Sequence, residues 1–285
     1  MKVKPWAAAL AGGAAALVYY AHSIEPLDIR VNQVALTLPR LHPVFDGYRV
    51  VQLSDIHMDT FMTYGRLIYS VERVNRQDPD LIAITGDFVT THVHYDAAEL
   101  IAALSQLRAR DGVVAVLGNH DHHAGPQRVR EVLAAANIVE LSNAVHTIVH
   151  QGASLHLCGV DDWTAEQDRL EDVLAALPDE GAAILLAHEP EFANESAPTR
   201  RFDLQLSGHT HGGQINLPIP GLWTLITAVY ADRHRAGWYE MDGMQLYVNR
   251  GLGMMGVPLR FNAPPEITVF TLLSASRDDT SKAAG

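Results

Sequence analysis

Five short β-rich runs, each ending in a polar cluster, constrain this chain more than any other feature: YRVVQLSD (48–55), LIAITGD (81–87), VVAVLGNHD (113–121), AAILLAHEP (182–190) and LQLSGHTH (204–211). Between them, amphipathic stretches predict helices over 66–76, 97–108, 127–136 and 165–177. Short apolar runs alternating with helical periodicity are the signature of an α/β domain. The segments AVHTIVH and ASLHLCGV, split by Gln151-Gly152, read as a hairpin, which brings antiparallel strands into a mixed sheet. QLYVNRG and EITVFTLL add two further strands.

In an open α/β sheet, ligands bind beyond the carboxyl ends of the strands, where loops and helix N-termini converge. The five runs put Asp55 and His57, Asp87, Asn119 and His120, His188, then His209 and His211 at that end. Any one of these is readily a cap, turn or loop residue. Together they read as a site. With His120 set aside, two Asp, one Asn and four His are too many donors for one tetrahedral zinc and too rich in nitrogen for a calcium or magnesium cage. Two ions sharing one carboxylate would use the set. Such a mixture suits Mn, Fe, Zn or Co, and two ions roughly 3.5–4 Å apart can clamp an in-line displacement at phosphorus.

Bulk properties narrow the partners. With 285 residues, 48% hydrophobic and 19% charged, the chain can bury a large core. A formal net charge of -12 excludes a broad nucleic-acid-binding face, which needs clustered Lys and Arg. The single cysteine, Cys158, lies inside an apolar run; it excludes an intramolecular disulfide and is no candidate nucleophile, and no G-x-S-x-G is present. No obligate protein partner is implied.

The N-terminus follows different rules. MKVKPWAAALAGGAAALVYYAHS opens with Lys2 and Lys4 and then carries no Asp, Glu, Lys or Arg as far as Ser23. Residues 1–23 are expected to form a membrane anchor or an export signal, with the lysines retained inside and the remainder translocated. An Ala-rich helix buried in the domain is the alternative. Residues 24–274 form the catalytic domain, and 275–285 are a polar tail expected to be disordered. This organisation implies membrane association through the N-terminus, with the catalytic domain on the extracytoplasmic side.

The order D-x-H at Asp55–His57, G-D at Gly86-Asp87, G-N-H-D at Gly118–Asp121, a lone His188 and G-H-x-H at Gly208–His211 resembles the calcineurin-like metallophosphoesterase superfamily. The flanking stretches FDGYRVVQLSDIHM and NRGLGMMGVPLRFNAPPEITVFTL look like its bacterial membrane-associated phosphodiesterase branch. The resemblance covers about residues 24–273 and implies a four-layer α/β/β/α sandwich of two mixed sheets with a dinuclear site between their carboxyl edges. It also implies roles. Asp55, His57 and His211 would hold one metal, and Asn119, His188 and His209 the other. Asp87 would bridge them, as a carboxylate with two oxygens can and an imidazole cannot. His120 would donate a proton to the leaving oxygen or stabilise the equatorial oxygens, Asp121 would fix the loop or orient His120, and the nucleophile would be a metal-bridging hydroxide.

Other candidates stay open. His92 and His94 lie on a loop that is either solvated or close enough to touch substrate. His122 and His123 follow the G-N-H-D motif without an implied role, and the remaining histidines read as structural or surface groups. Arg250, in VNRGLG, is a candidate for gripping a phosphate oxygen or an ordinary ion-pair partner. The uncharged stretch INLPIPGLWTLITAVY (215–230) is either tucked into the core or a lip that admits a lipid tail. The function expected is hydrolysis of a phosphodiester or pyrophosphate, on a lipid-linked substrate. The alternatives are a UDP-2,3-diacylglucosamine pyrophosphatase of lipid A synthesis and, from another class, a metal-binding scaffold without turnover.

Overall fold

The alternating pattern folds into two six-stranded mixed sheets that pack face to face, with helices covering each outer face. A computed structural model describes residues 4–217 and 234–275. In chain order the elements are α1 (Pro5–Ser23), β1 (Arg30–Leu38), β2 (Arg49–Leu53), α2 (Tyr64–Asn75), β3 (Leu81–Thr85), α3 (Ala97–Leu104), β4 (Val113–Val116), α4 (Asn119–Ala124), α5 (Pro126–Ala135) and β5 (Val139–Glu140). There follow β6 (Ala144–His150), β7 (Ala153–Gly159), α6 (Leu170–Ala176), β8 (Ala182–Leu186), α7 (Ala193–Ser196), β9 (Leu204–Ser207), β10 (Gly237–Met241), β11 (Met244–Val248) and β12 (Glu266–Ser274).

The first sheet runs β1-β12-β2-β3-β4-β5 and the second β10-β11-β9-β8-β7-β6. The central strands are buried on both faces, so their sequences are continuous apolar runs rather than alternating ones. The period of two survives in the packing. Along β3, Leu81 and Ala83 face the second sheet while Ile82 and Ile84 meet the helices; along β8, Ala182, Ile184 and Leu186 face the first sheet while Ala183 and Leu185 face α6 and α7. The four layers expected from the resemblance are therefore present.

The hairpin of β6 and β7 pairs antiparallel over its whole length, and β12 enters antiparallel to β2, which mixes both sheets. Three strands were not legible: β1, β5 and β10. β1 and β10 sit at sheet edges and are only partly buried, so they lack the dense apolar signal of the central strands. β5 is a two-residue edge strand. Helix α6 is shorter than its expected span because residues 165–169 are held in turns around Asp162 and Asn143.

The expected N-terminal span does form a helix, α1, but Gly, Tyr and His dilute its apolar character. Among the described residues, no helix is long and apolar enough to cross a membrane. Among the described residues, helix α1 is exposed along nearly all its length, including Trp6, Leu10, Val18 and Tyr19, and it meets the domain only at its C-terminal end. There Arg260 N–H donates to Ala21 O, and His22 Nδ1 lies 3.0 Å from Pro258 O. Most of the 215–230 stretch, from residue 218, and the tail from residue 276 lie outside the described residues.

Candidate functional site

Each expected donor follows a strand at its carboxyl end: Asp55 and His57 after β2, Asp87 after β3, Asn119 and His120 after β4, His188 after β8, His209 and His211 after β9. Five of the seven proposed ligands have left-handed backbone: Asp55 (φ 49°), His57 (50°), Asp87 (57°), His209 (70°) and His211 (52°). Such conformations are uncommon for non-glycine residues and cost about 1–3 kcal/mol each unless the surroundings impose them. Ten further non-glycine residues among those described have positive φ, but these five carry side chains that converge on one place.

The side chains converge in two groups that meet at one carboxylate. In the first group, His57 Nε2 and His211 Nε2 are 3.1 Å apart, and His211 Nε2 is 3.4 Å from Asp55 Oδ1. In the second, His209 Nδ1 is 3.1 Å from Asn119 Oδ1 and 3.3 Å from His188 Nε2. Asp87 Oδ2 lies 3.4 Å from His57 Nε2 and 3.2 Å from His188 Nε2, so it touches both groups. Asp55, His57, Asp87 and His188 are all essentially inaccessible to solvent.

Hydrogen bonds fix the tautomers. His188 Nδ1 is 2.7 Å from Thr85 O, a pure acceptor, so Nδ1 carries a hydrogen and Nε2 is the atom turned to Asp87 Oδ2. His57 Nδ1 is 3.3 Å from Thr90 Oγ1, whose own hydrogen is donated to Asp59 Oδ2, so this ring turns a bare Nε2 inward. His120 is the reverse. The backbone N–H of Thr91 donates to its Nδ1 at 3.2 Å, which leaves Nε2 as the hydrogen-bearing nitrogen.

Electrostatics keep three of the four ligand rings neutral; His188 is the exception, since burial would lower it but the facing Asp87 holds it well above the ordinary histidine value, so its Nε2 proton must leave when a cation binds. Burial lowers His57 to about 3 and His209 to about 4, and holds His211 well below the ordinary histidine value. These rings are therefore neutral at physiological pH, as a metal ligand must be. Burial alone would raise Asp87, but the facing His188 and His57 hold it below the usual carboxylate range, while burial raises Asp55 to about 6. Burial also lowers His120. Two clusters of lone-pair donors around one shared, ionised carboxylate fit two divalent cations; a single ion would leave one cluster idle.

Glycines make the convergence possible. A Cβ on Gly118 would come within 2.4 Å of Asp87 Oδ1, and one on Gly208 within 2.3 Å of Asp55 Oδ2. Asp121 braces the loops: its Oδ1 accepts from Phe88 and Val89 N–H and its Oδ2 from Gly118 N–H.

His122 and Arg250 have partners of their own, and the Arg250 side chain lies against Gly212 of the G-H-x-H turn. His92 and His94 are exposed on their loop. His122 Nε2 is 2.7 Å from Asp161 Oδ1, and Arg250 Nε donates to Glu266 Oε2 at 2.7 Å. Two residues escaped the sequence reading. A Glu189 oxygen lies within 4.8 Å of ring nitrogens of His188 and His209, and Asp162 is buried nearby. Asp162 Oδ2 and Glu189 Oε1 have no hydrogen-bond partner among the described residues, and burial pushes Glu189 up to about 8. The signal was available: GVDDW ends β7 in a polar cluster as the other runs do.

Comparison with known proteins points the same way. The calcineurin-like phosphoesterase family matches residues 48–213, more than half of the chain. The chain is 37% identical over 262 residues to a Bacillus subtilis protein named as the uncharacterized metallophosphoesterase YkuE, covering 90% of each. It is 30% identical to the phosphodiesterase YaeI of Escherichia coli, over 89% of this chain and 92% of that one. It is 32% identical over 86% of its length to a Danio rerio protein named as a transmembrane protein with metallophosphoesterase domain, of which it spans only 58%; of a Helicobacter pylori metallophosphoesterase it spans 60%. The chain belongs to the calcineurin-like phosphoesterase family, and it is a metal-dependent phosphoric ester hydrolase.

Proposed function

We propose that the chain is a phosphodiesterase acting at a dinuclear metal site, with Asp55, His57 and His211 at one ion, Asn119, His188 and His209 at the other, and Asp87 between them. The observation that carries this reading is the contact of Asp87 Oδ2 with the Nε2 atoms of both His57 and His188. When bound, two divalent cations supply positive charge to the phosphoryl oxygens and acidify water. The chain's own residues do the rest. The bonds to Thr85 and Thr90 orient the ligand rings, and the backbone N–H of His120 holds Asp87 Oδ1 at 2.9 Å. His120, hydrogen-bearing at Nε2, donates to the leaving or equatorial oxygen of the phosphoryl group.

The test is hydrolysis of bis-p-nitrophenyl phosphate with Mn²⁺ or Zn²⁺ by the wild type, Asp87→Asn and His120→Ala. An enzyme shows a rate that both substitutions depress. A scaffold shows none above the blank.

We further propose that the substrate is lipid-linked and that the protein meets a membrane through α1, with its catalytic domain on the extracytoplasmic side. An uncharged helix with exposed Trp6, Leu10, Val18 and Tyr19 is favoured where that surface can leave water. Flotation of the full chain with phospholipid vesicles, and its loss when residues 1–23 are removed, is the expected result; a chain that stays with the soluble fraction overturns this part alone.

A further inference from the structure

Beside His120 lies a cavity of about 350 Å³, near the lower end of the ~300–1,000 Å³ usual for small-molecule sites. Phe61, Val93, Met254, Met255 and Pro258 give it an apolar wall, and Thr90 and Thr91 connect it to His57 and His120. Its charge character is the informative part. The one charged side chain among the described lining residues is a carboxylate, Asp59, and that carboxylate is already engaged: Oδ1 accepts from Phe61 and Met62 N–H, and Oδ2 from Thr90 Oγ1. No described Lys or Arg lines the cavity. A second phosphate, as in a pyrophosphate or nucleotide substrate, would find no cation there and would lose hydration without compensation.

We propose that this cavity is the subsite for the leaving alcohol of a phosphodiester, and that it selects an uncharged, apolar alkyl or aryl alcohol. The inference rests on the phosphodiesterase reading above and specifies its substrate. The chemistry balances simply: water adds to phosphorus, the P–O bond to the arm in the cavity breaks, and the alcohol leaves with a proton supplied at its oxygen. His120 stands at the junction, with its Nδ1 held by Thr91 and its Nε2–H left for that oxygen. The wall is soft and adaptable because thioethers fit irregular apolar chains. It is also braced by the end of α1: the His22 ring packs edge-on to Phe61 at 5.1 Å, and its Nδ1 contacts Pro258 O. The apolar surface of α1 thus ends at the rim of the cavity.

The experiment uses methyl alkyl phosphates of rising chain length, from ethyl to octyl, with the metal-loaded full chain and product analysis by phosphorus NMR. Methyl and octyl oxygens are similar leaving groups, so the bond that breaks reports which arm sits beside His120. The expected result is release of octanol with methyl phosphate left behind, and a KM falling by up to about fourfold per added methylene. Met255→Lys and Val93→Lys should erase the chain-length dependence and weaken the preference for releasing octanol. Hydrolysis of all members with equal KM and random cleavage overturns the subsite and leaves the phosphodiesterase reading standing. Absence of hydrolysis of every diester, bis-p-nitrophenyl phosphate included, overturns both. A soluble octyl ester turned over in the absence of vesicles assigns recognition to the cavity; turnover confined to esters embedded in phosphatidylcholine vesicles assigns it to the lipid surface and overturns the cavity.

Discussion

His57 Nε2 and His211 Nε2 face each other across 3.1 Å, two buried neutral imidazoles brought together from loops after β2 and β9. Without a cation, His211 Nε2–H can donate to the bare Nε2 of His57, since His211 Nδ1 has no partner among the described residues; a cation between these rings and Asp55 would displace that hydrogen and take both lone pairs. Binding only to the folded state stabilises it by RT ln(1 + [M]/Kd), about 2.7 kcal/mol at a hundredfold excess over Kd. Mn²⁺ or Zn²⁺ should therefore raise Tm by roughly 5–10 °C, a chelator should reverse it, and His57→Ala should show a smaller rise. An unchanged Tm on adding either metal would count against the site.

Loss of His120 separates catalysis from metal binding. Because its Nδ1 is tied to Thr91 and it is no ligand in the proposed set, His120→Ala should lower kcat by ~10²–10⁴-fold while the metal content measured by emission spectroscopy stays at the wild-type level. Asp87→Asn should lower both. Equal metal loss in the two variants would make His120 a ligand instead.

Gly118→Ala tests the space around the shared carboxylate. The new methyl would meet Asp87 Oδ1 at 2.4 Å, Asp87 N at 2.8 Å and His188 Cε1 at 2.8 Å. Metal affinity, read by isothermal titration, should fall by at least about tenfold. Gly65→Ala, where nothing lies within 4 Å, is the control and should leave affinity unchanged.

The His122–Asp161 pair should appear in the pH dependence of stability. The hydrogen bond to Asp161 raises His122 above its ordinary value. Burial would raise Asp161, but the bond from His122, the Asp162 N–H and the charges of His122 and Arg130 together outweigh it and lower the group. A raised histidine stabilises fully below its unfolded value of ~6.5 and loses that contribution as pH rises through its folded value; a lowered aspartate contributes above ~3.9 and loses it in acid. The pair therefore contributes most between about pH 4 and 6.5. His122→Ala should lower Tm more at pH 5.5 than at pH 8.5, by thermal unfolding in each buffer.

Arg260 is wholly buried, and its guanidinium donates to the carbonyls of Arg250, Gly251, Gly253 and Ala263. It thereby holds the loop that supplies Met254 and Met255 to the cavity. Arg260→Met strands those carbonyls and should cost about 3 kcal/mol or more, a fall in Tm of roughly 6–12 °C by calorimetry. Arg260→Lys should recover only part, since an ammonium cannot reproduce the planar fork.

By itself the sequence determined the α/β class, the central strands and the positions of all seven proposed donors, because burial on both faces writes dense apolar runs and the loops that follow them carry the chemistry. It also carried the order of motifs from which two metals were inferred. The tertiary structure decided what depends on contacts across the two sheets. Asp87 meets His57 and His188, residues far apart in the chain, and the tautomer of each ring is set by a distant Thr carbonyl, hydroxyl or backbone N–H. The edge strands and the cavity beside His120 were likewise beyond local pattern, whereas GVDDW did carry a signal for Asp162. The reason is physical: periodicity encodes which face of a segment is buried, whereas hydrogen-bond partners, ring orientation and empty volume are properties of segments after they pack.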